Sequence, residues 1–195
     1  MNNIHNFLTN KKIVFYGPAF TKDKDSLNLD TFDYVIITNN MVSIFFEKYP
    51  NLLNCKVILV TNILYTKFHI QTILQYDRNI ALYFTACDVA GNILKQSISK
   101  SKIHIMGIPH FQFGIPLILT RILIFLYCVQ FKELYITGAT FYNATNIHEC
   151  YEDPRYIIPQ ARKFNVFSMD SQKHNIPYNI YVARSICLQK QNITL

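Results

Sequence analysis

Glycine, proline and acidic residues are scarce in this 195-residue chain, at five, seven and twelve. With half the residues apolar, so few backbone breakers exclude a disordered or low-complexity chain. Twelve Asp and Glu against 19 Lys and Arg leave a net charge of +7, scattered rather than gathered in a tail. No compact basic run with interleaved aromatics is present, which argues against a nucleic-acid groove. The charge excess reads first as a solvated surface. Its functional reading is attraction to a phosphate-bearing ligand or an anionic membrane face.

The five cysteines (Cys55, Cys87, Cys128, Cys150 and Cys187) include no CxxC pair, and their number is odd. Most lie in apolar stretches, where cysteine acts as a small hydrophobe. A disulfide framework is therefore not expected, and a reducing compartment is. Met1–Lys12 lacks an apolar signal core, so the expected location is cytoplasmic. The histidines and cysteines show no zinc spacing. There is no phosphate-binding P-loop, no full dinucleotide fingerprint and no G-x-S-x-G elbow. No repeat or linker divides the chain, and its length suits one domain over residues 1–195.

What is present is a series of short, continuously apolar runs rich in β-branched and aromatic residues. Strands are expected at Lys12–Tyr16, Tyr34–Thr38, Lys56–Thr61, Ile80–Thr85, Ile103–Met106, Glu133–Thr137 and Val166–Met169. His104, between Ile103 and Ile105, reads as a strand residue. Strands apolar along their whole length are covered on both faces, as in parallel sheets. Helical-length segments lie between them, at Met41–Tyr49, Lys67–Tyr76, Ile115–Phe131 and Asp153–Lys163. Tyr178–Ala183 reads as an edge strand. The alternation predicts an α/β fold: one doubly wound, mostly parallel, Rossmann-like sheet with helices on both faces. Gly114–Phe131 is apolar for about the length of a membrane span, but Arg121 stands midway, so a helix buried on the sheet is expected. Peripheral membrane contact stays compatible with it.

In such sheets ligands bind outside the carboxyl ends of the strands. There the chain places Gly17-Pro18, Asn39-Asn40, Asn62, Gly138 and, further on, Tyr142. Asparagine offers donor and acceptor on a short side chain, and glycine lets a ligand approach the backbone. Singly, each is an ordinary turn or packing residue. Their recurrence at successive strand ends points to a ligand. Asp23-Lys24-Asp25 matches the D-x-D of metal-dependent glycosyltransferases, but beside Lys22 in a polar loop it reads as a solvated charge cluster.

The stretches KKIVFYGPAF, FDYVIITNN, CKVILVTNILY and FGIPLILTRILIFLYCVQFKELYITGATFY cover roughly the first three-quarters of the chain. They resemble the bacterial CMP-sialic-acid-dependent sialyltransferases that decorate lipooligosaccharide. The resemblance implies transfer of sialic acid from CMP-sialic acid to a glycan or glycolipid hydroxyl with inversion. That chemistry needs neither metal nor other cofactor. It matches Gly17 and Pro18 to the glycine turn after the first strand, and Asn39 and Asn62 to donor-contacting asparagines. Gly114 falls at the turn opening the long helix, and Gly138 at the end of a further strand. Tyr142 matches a tyrosine bonded to the leaving phosphate, and His148 the general base. At its ordinary pKa a histidine suits that task at neutral pH.

The chain departs from the pattern in several places. Tyr16 replaces a polar residue before Gly17, Gln112 and Phe113 replace small polar ones, and His110 stands where a basic residue is usual. Only five residues separate Tyr142 from His148, where the family inserts a longer lid with a second tyrosine. Tyr151 is the available substitute. A short lid bears on acceptor recognition and water exclusion. The alternatives are therefore an inactive nucleotide-binding or accessory protein of the same fold, and a transferase for another activated sugar. A homo-oligomer is compatible with each.

Overall fold

The computed structural model describes residues 2–19, 21, 23–38, 41–52, 56–61, 70–85, 88–106, 117–139 and 176–194. The strands expected at Val166–Met169 and the helix at Asp153–Lys163 lie outside them. The described strands are β1 (Lys12–Tyr16), β2 (Tyr34–Thr38), β3 (Val57–Thr61), β4 (Ile80–Thr85), β5 (Ile103–Ile105), β6 (Glu133–Thr137) and β7 (Ile193–Thr194). They form one sheet in the order β5-β4-β3-β2-β1-β6-β7, and every neighbouring pair is parallel. The described helices are α1 (Asn2–Leu8), α2 (Asp23–Ser26), α3 (Val42–Lys48), α4 (residues 70–75), α5 (Asp88–Leu94), α6 (Ile118–Tyr127) and α7 (Ile176–Gln189).

The sheet is covered on both faces because its central strands, β1 to β4 and β6, are apolar in both directions. In β1, Ile13 and Phe15 join a core layer with Ile4 and Leu8 of α1 and Leu119, Ile122, Leu123 and Leu126 of α6. Val14 and Tyr16 point the other way, into a layer with Val42, Phe45 and Phe46 of α3, Ile73 of α4 and Leu94 of α5. The same alternation runs through β2 to β4. This is a doubly wound, Rossmann-like α/β fold.

The apolar run at 114–131 yields a helix of ten residues, not seventeen. Leu119, Ile122, Leu123 and Leu126 face the sheet, as 3.6-residue periodicity requires. Arg121 is half-buried on another side. Among the described residues no helix is long and apolar enough to cross a membrane. His104 does lie in a strand, β5, and its ring packs 5.7 Å from Phe84 and 5.5 Å from Phe125. Burial, then nearby positive charge that includes His5, holds its imidazole below the ordinary histidine range.

Tyr178–Ala183 is helical, inside α7, and not an edge strand. Its alternating Tyr, Ile and Val mimic a strand, but Asn179, Ala183 and Ile186 bury at helical spacing, and the last two join the core layer of α6. The edge is taken instead by β7, with Ile193 opposite Leu134 of β6. Asn179 also closes the start of α6: its Oδ1 accepts from the Leu117 N–H at 2.8 Å. Leu117 has no side-chain cap of its own, so this buried bond satisfies a helix-end donor from a different helix. Asn179→Ala is expected to cost about 1–3 kcal/mol, the penalty of stranding a buried N–H, seen as a lower urea midpoint with an unchanged slope.

Candidate functional site at the carboxyl edge of the sheet

From β1 the sheet grows in two directions, through β2 to β5 on one side and through β6 to β7 on the other. The reversal of strand order lies between β1 and β6. In doubly wound folds the crevice outside the carboxyl ends at that reversal is where ligands bind.

Gly17 and Gly138 leave these two strands and meet. The Gly17 N–H donates to the Thr137 carbonyl at 2.8 Å, and the Ala19 N–H to the Gly138 carbonyl at 3.0 Å. A Cβ on Gly17 would overlap the Gly138 carbonyl. One on Gly138, whose φ is +64°, would stand 2.5 Å from the Gly17 carbonyl oxygen and 2.9 Å from Lys24 Cε. The room beside each glycine is therefore filled by the other, and the local reason for both is this loop contact. Pro18 has no N–H to give. The N–H groups of residues 17 to 19 are thus either absent or already bonded to the carbonyls of Thr137 and Gly138, so this turn is no backbone phosphate cradle.

Lys24 closes the turn from outside. It is 2% exposed. Its Nζ donates to the Ala19 carbonyl at 2.9 Å and lies 4.2 Å from the centroid of the Tyr16 ring. Tyr16 is itself fully buried, its hydroxyl 3.3 Å from that of Tyr49. The reading of Asp23-Lys24-Asp25 as a solvated cluster fails at its centre, because Lys24 is turned inward.

The flanking carboxylates diverge. Asp23 Oδ2 accepts from the Tyr135 hydroxyl at 3.3 Å, and Thr21 and Thr137, whose hydroxyls are 3.0 Å apart, also bond to the Asp23 carboxylate. Partial burial pushes its pKa up, but the bonds from Thr137, Thr21, its own backbone and Tyr135 outweigh it, and the net shift is downward. Burial and the nearby Asp23 charge push the Tyr135 phenol up. Asp25 is exposed and pairs with Lys48 at 3.2 Å. The two halves of the D-x-D thus have separate partners. Among the described residues no group of three His, Cys, Asp or Glu converges as a metal site would require.

Four strands end on a buried threonine: Thr38, Thr61, Thr85 and Thr137. Thr61 and Thr85 are register partners, and Thr137 lies opposite Tyr16. Threonine closes four of the apolar runs in the sequence. Lys24 left no comparable signal, since its burial depends on Tyr16 and Gly138, far from it in periodicity.

Of the residues singled out from the sequence, Gly17, Pro18 and Gly138 are brought together here. Asn39, Asn62, Gly114, Tyr142 and His148 lie outside the described residues, as do His110, Gln112, Phe113 and Tyr151. Asn39 and Asn62 follow directly in sequence on Thr38 and Thr61, the last residues of β2 and β3. At the opposite, amino-terminal edge the polar groups serve packing. There the Tyr83 hydroxyl donates to Asp77 at 2.7 Å, and Lys102 bonds to the same carboxylate at 3.2 Å. Burial, then Asp77, pushes the Tyr83 phenol far up.

The fold is that of a Rossmann-like α/β domain whose strand order reverses between β1 and β6. Comparison with protein-family models, with curated proteins and with solved structures finds no match.

Proposed function

We propose that this domain is a sialyltransferase-like glycosyltransferase that holds CMP-sialic acid in the crevice between β1 and β6. The observation that carries the reading is the reversal of strand order between β1 and β6. The stretches KKIVFYGPAF and KELYITGATFY, which bear the resemblance, are distant in sequence, and they become neighbouring strands whose glycines touch at the switch point. The residues next in line, Asn39 and Asn62, are proposed to hold the nucleotide and its phosphate.

In the proposed reaction His148 takes the proton of an acceptor hydroxyl on a glycan or glycolipid. The acceptor oxygen bonds to the anomeric carbon as the bond to the phosphate oxygen breaks. CMP departs with that electron pair, its charge steadied by the Tyr142 hydroxyl. A single phosphate leaves, so no metal is needed to neutralise it. The scattered basic surface favours an acceptor at an anionic membrane face. The five-residue interval between Tyr142 and His148 favours, as second reading, a protein that binds CMP without transfer.

The test is incubation of the protein with CMP-sialic acid and chromatography of free CMP, with and without a chelator. Release that survives the chelator is the expected result. CMP binding without release would favour the second reading. Binding of a diphosphate sugar only in the presence of a divalent ion would replace the sialyl donor by another activated sugar.

A further inference from the structure

We propose that the outer side of α7 docks on an anionic lipid surface, with Tyr181 and Leu188 entering the headgroup layer and Arg184 bonding lipid phosphates between them. This docking is independent of the sugar donor, and it stands or falls whether or not the protein binds CMP.

Three observations carry it. First, α7 is apolar on two sides. Asn179, Ala183 and Ile186 are buried on one. Pro177, Tyr181, Arg184 and Leu188 recur at helical spacing on the other, and all four are exposed. Leu188 is 84% exposed and Tyr181 68%. The two stand about 10 Å apart along the helix. Tyr127 of α6, also exposed, flanks the same helix, its hydroxyl donating to Gln189 at 2.9 Å. Second, charge is divided between the two sides of the sheet. The helices α1, α6 and α7, which share one core layer, hold no Asp or Glu. On the other side α2, α3 and α5 hold Asp23, Asp25, Glu47 and Asp88. Third, Arg184 is exposed in the middle of the stripe and has no ion pair among the described residues.

An acid-free, convex ridge with a cation between two apolar side chains matches a layer that offers phosphates above hydrocarbon. Tyrosine and arginine suit its interface, and anionic headgroups attract the excess of positive charge. A second copy of the chain fits poorly. In a two-fold pairing along this stripe, parallel or antiparallel, Arg184 would face its own copy. Nucleic acid supplies phosphates but no hydrocarbon for Leu188.

The test is co-sedimentation of the full chain with vesicles of phosphatidylcholine alone and of phosphatidylcholine mixed with phosphatidylglycerol. Wild type is expected to bind the anionic vesicles about tenfold or more tightly than the neutral ones, and less tightly as salt is raised. Leu188→Gln and Arg184→Gln are each expected to weaken that binding by about fivefold or more, whereas Leu74→Gln, an exposed position on α4, changes it by less than about twofold. The chain has no tryptophan, so Tyr181→Trp supplies a single fluorescent reporter. Its emission is expected to shift to the blue with anionic vesicles and not with neutral ones. No binding to anionic vesicles, binding that Leu188→Gln leaves unchanged, or emission that anionic vesicles do not shift would each overturn the proposal. A dimer seen by sedimentation velocity and lost in Leu188→Gln, without vesicle binding, would overturn it and assign the stripe to a second copy. If Leu188→Gln does not fold, wild-type binding and the Tyr181→Trp emission still decide.

Discussion

Gly138→Val is expected to prevent folding, or to lower stability by at least about 3 kcal/mol. Two costs combine. Gly138 has φ +64°, a left-handed conformation that is strained for any side chain and worst for a β-branched one. Its Cβ would also stand 2.5 Å from the Gly17 carbonyl oxygen and 2.9 Å from the Gly17 carbonyl carbon. Neither neighbour is a flexible side chain, so β1 and β6 would have to separate at their carboxyl ends. Residual strain of this kind costs about 1–3 kcal/mol for the backbone alone, and overpacking adds a similar amount. Against a typical total stability of about 5–15 kcal/mol, that loss is severe. Gly91→Ala provides the contrast. Gly91 lies in α5, its Cβ would meet the movable Ile105 side chain at 3.1 Å, and alanine is the better helix former. Urea unfolding of the two variants should differ by a large fraction of the total stability. Similar midpoints would show that the β1–β6 contact is not the tight junction described.

His148→Ala is expected to abolish release of CMP from CMP-sialic acid while leaving CMP binding nearly intact. Removal of a general base costs about 10²–10⁴-fold in rate, because the acceptor hydroxyl then loses its proton only to water. The base acts on the acceptor and not on the nucleotide, so ground-state affinity for CMP has no reason to change. A loss confined to kcat is thus the mark of the proposed role, whereas parallel loss of binding would indicate a residue that holds the donor. Equal release by wild type and variant removes His148 from the mechanism.

Much of the fold was legible because its strands advertise themselves locally. KIVFY, YVIIT, IALYFT and ELYIT form strands with the expected bounds, each fixed by an apolar run and the residue that stops it. Lys56 falls just outside β3. The helices were harder. α1 is seven residues with only Ile4, Phe7 and Leu8 apolar, and forms because Ile4 and Leu8 bury one turn apart. α5 contains Gly91, which ordinarily signals a turn, yet here its missing side chain lets the helix lie against Ile105 and Thr85. α6 is shorter than its apolar run because the chain turns at its end, where the Val129 N–H donates to the Leu126 carbonyl. Tyr178–Ala183 lies in α7 and not in a strand because Asn179, Ala183 and Ile186 bury at helical spacing against a partner helix that local sequence does not register.

The site was legible only in outline. Gly17 and Gly138 directly follow β1 and β6 in sequence, so their place at the carboxyl edge of the sheet is legible from the strand bounds. What they do was not legible. A Cβ on either glycine would meet the backbone of the other, a contact no local pattern announces. Lys24, between two acids and beside a further lysine, had every local mark of a solvated residue. Its burial is a tertiary fact, created when α2 folds back over Tyr16 and Gly138.

Amide chemical-shift mapping during a CMP titration tests most directly the proposal that the carboxyl ends of β1 and β6 take the nucleotide. The largest shifts are expected at Gly17, Ala19, Lys24, Gly138 and Ala139. Shifts concentrated instead at the amino-terminal edge, around Asp33, Asp77 and Lys102, or no shift at saturating CMP, would contradict it.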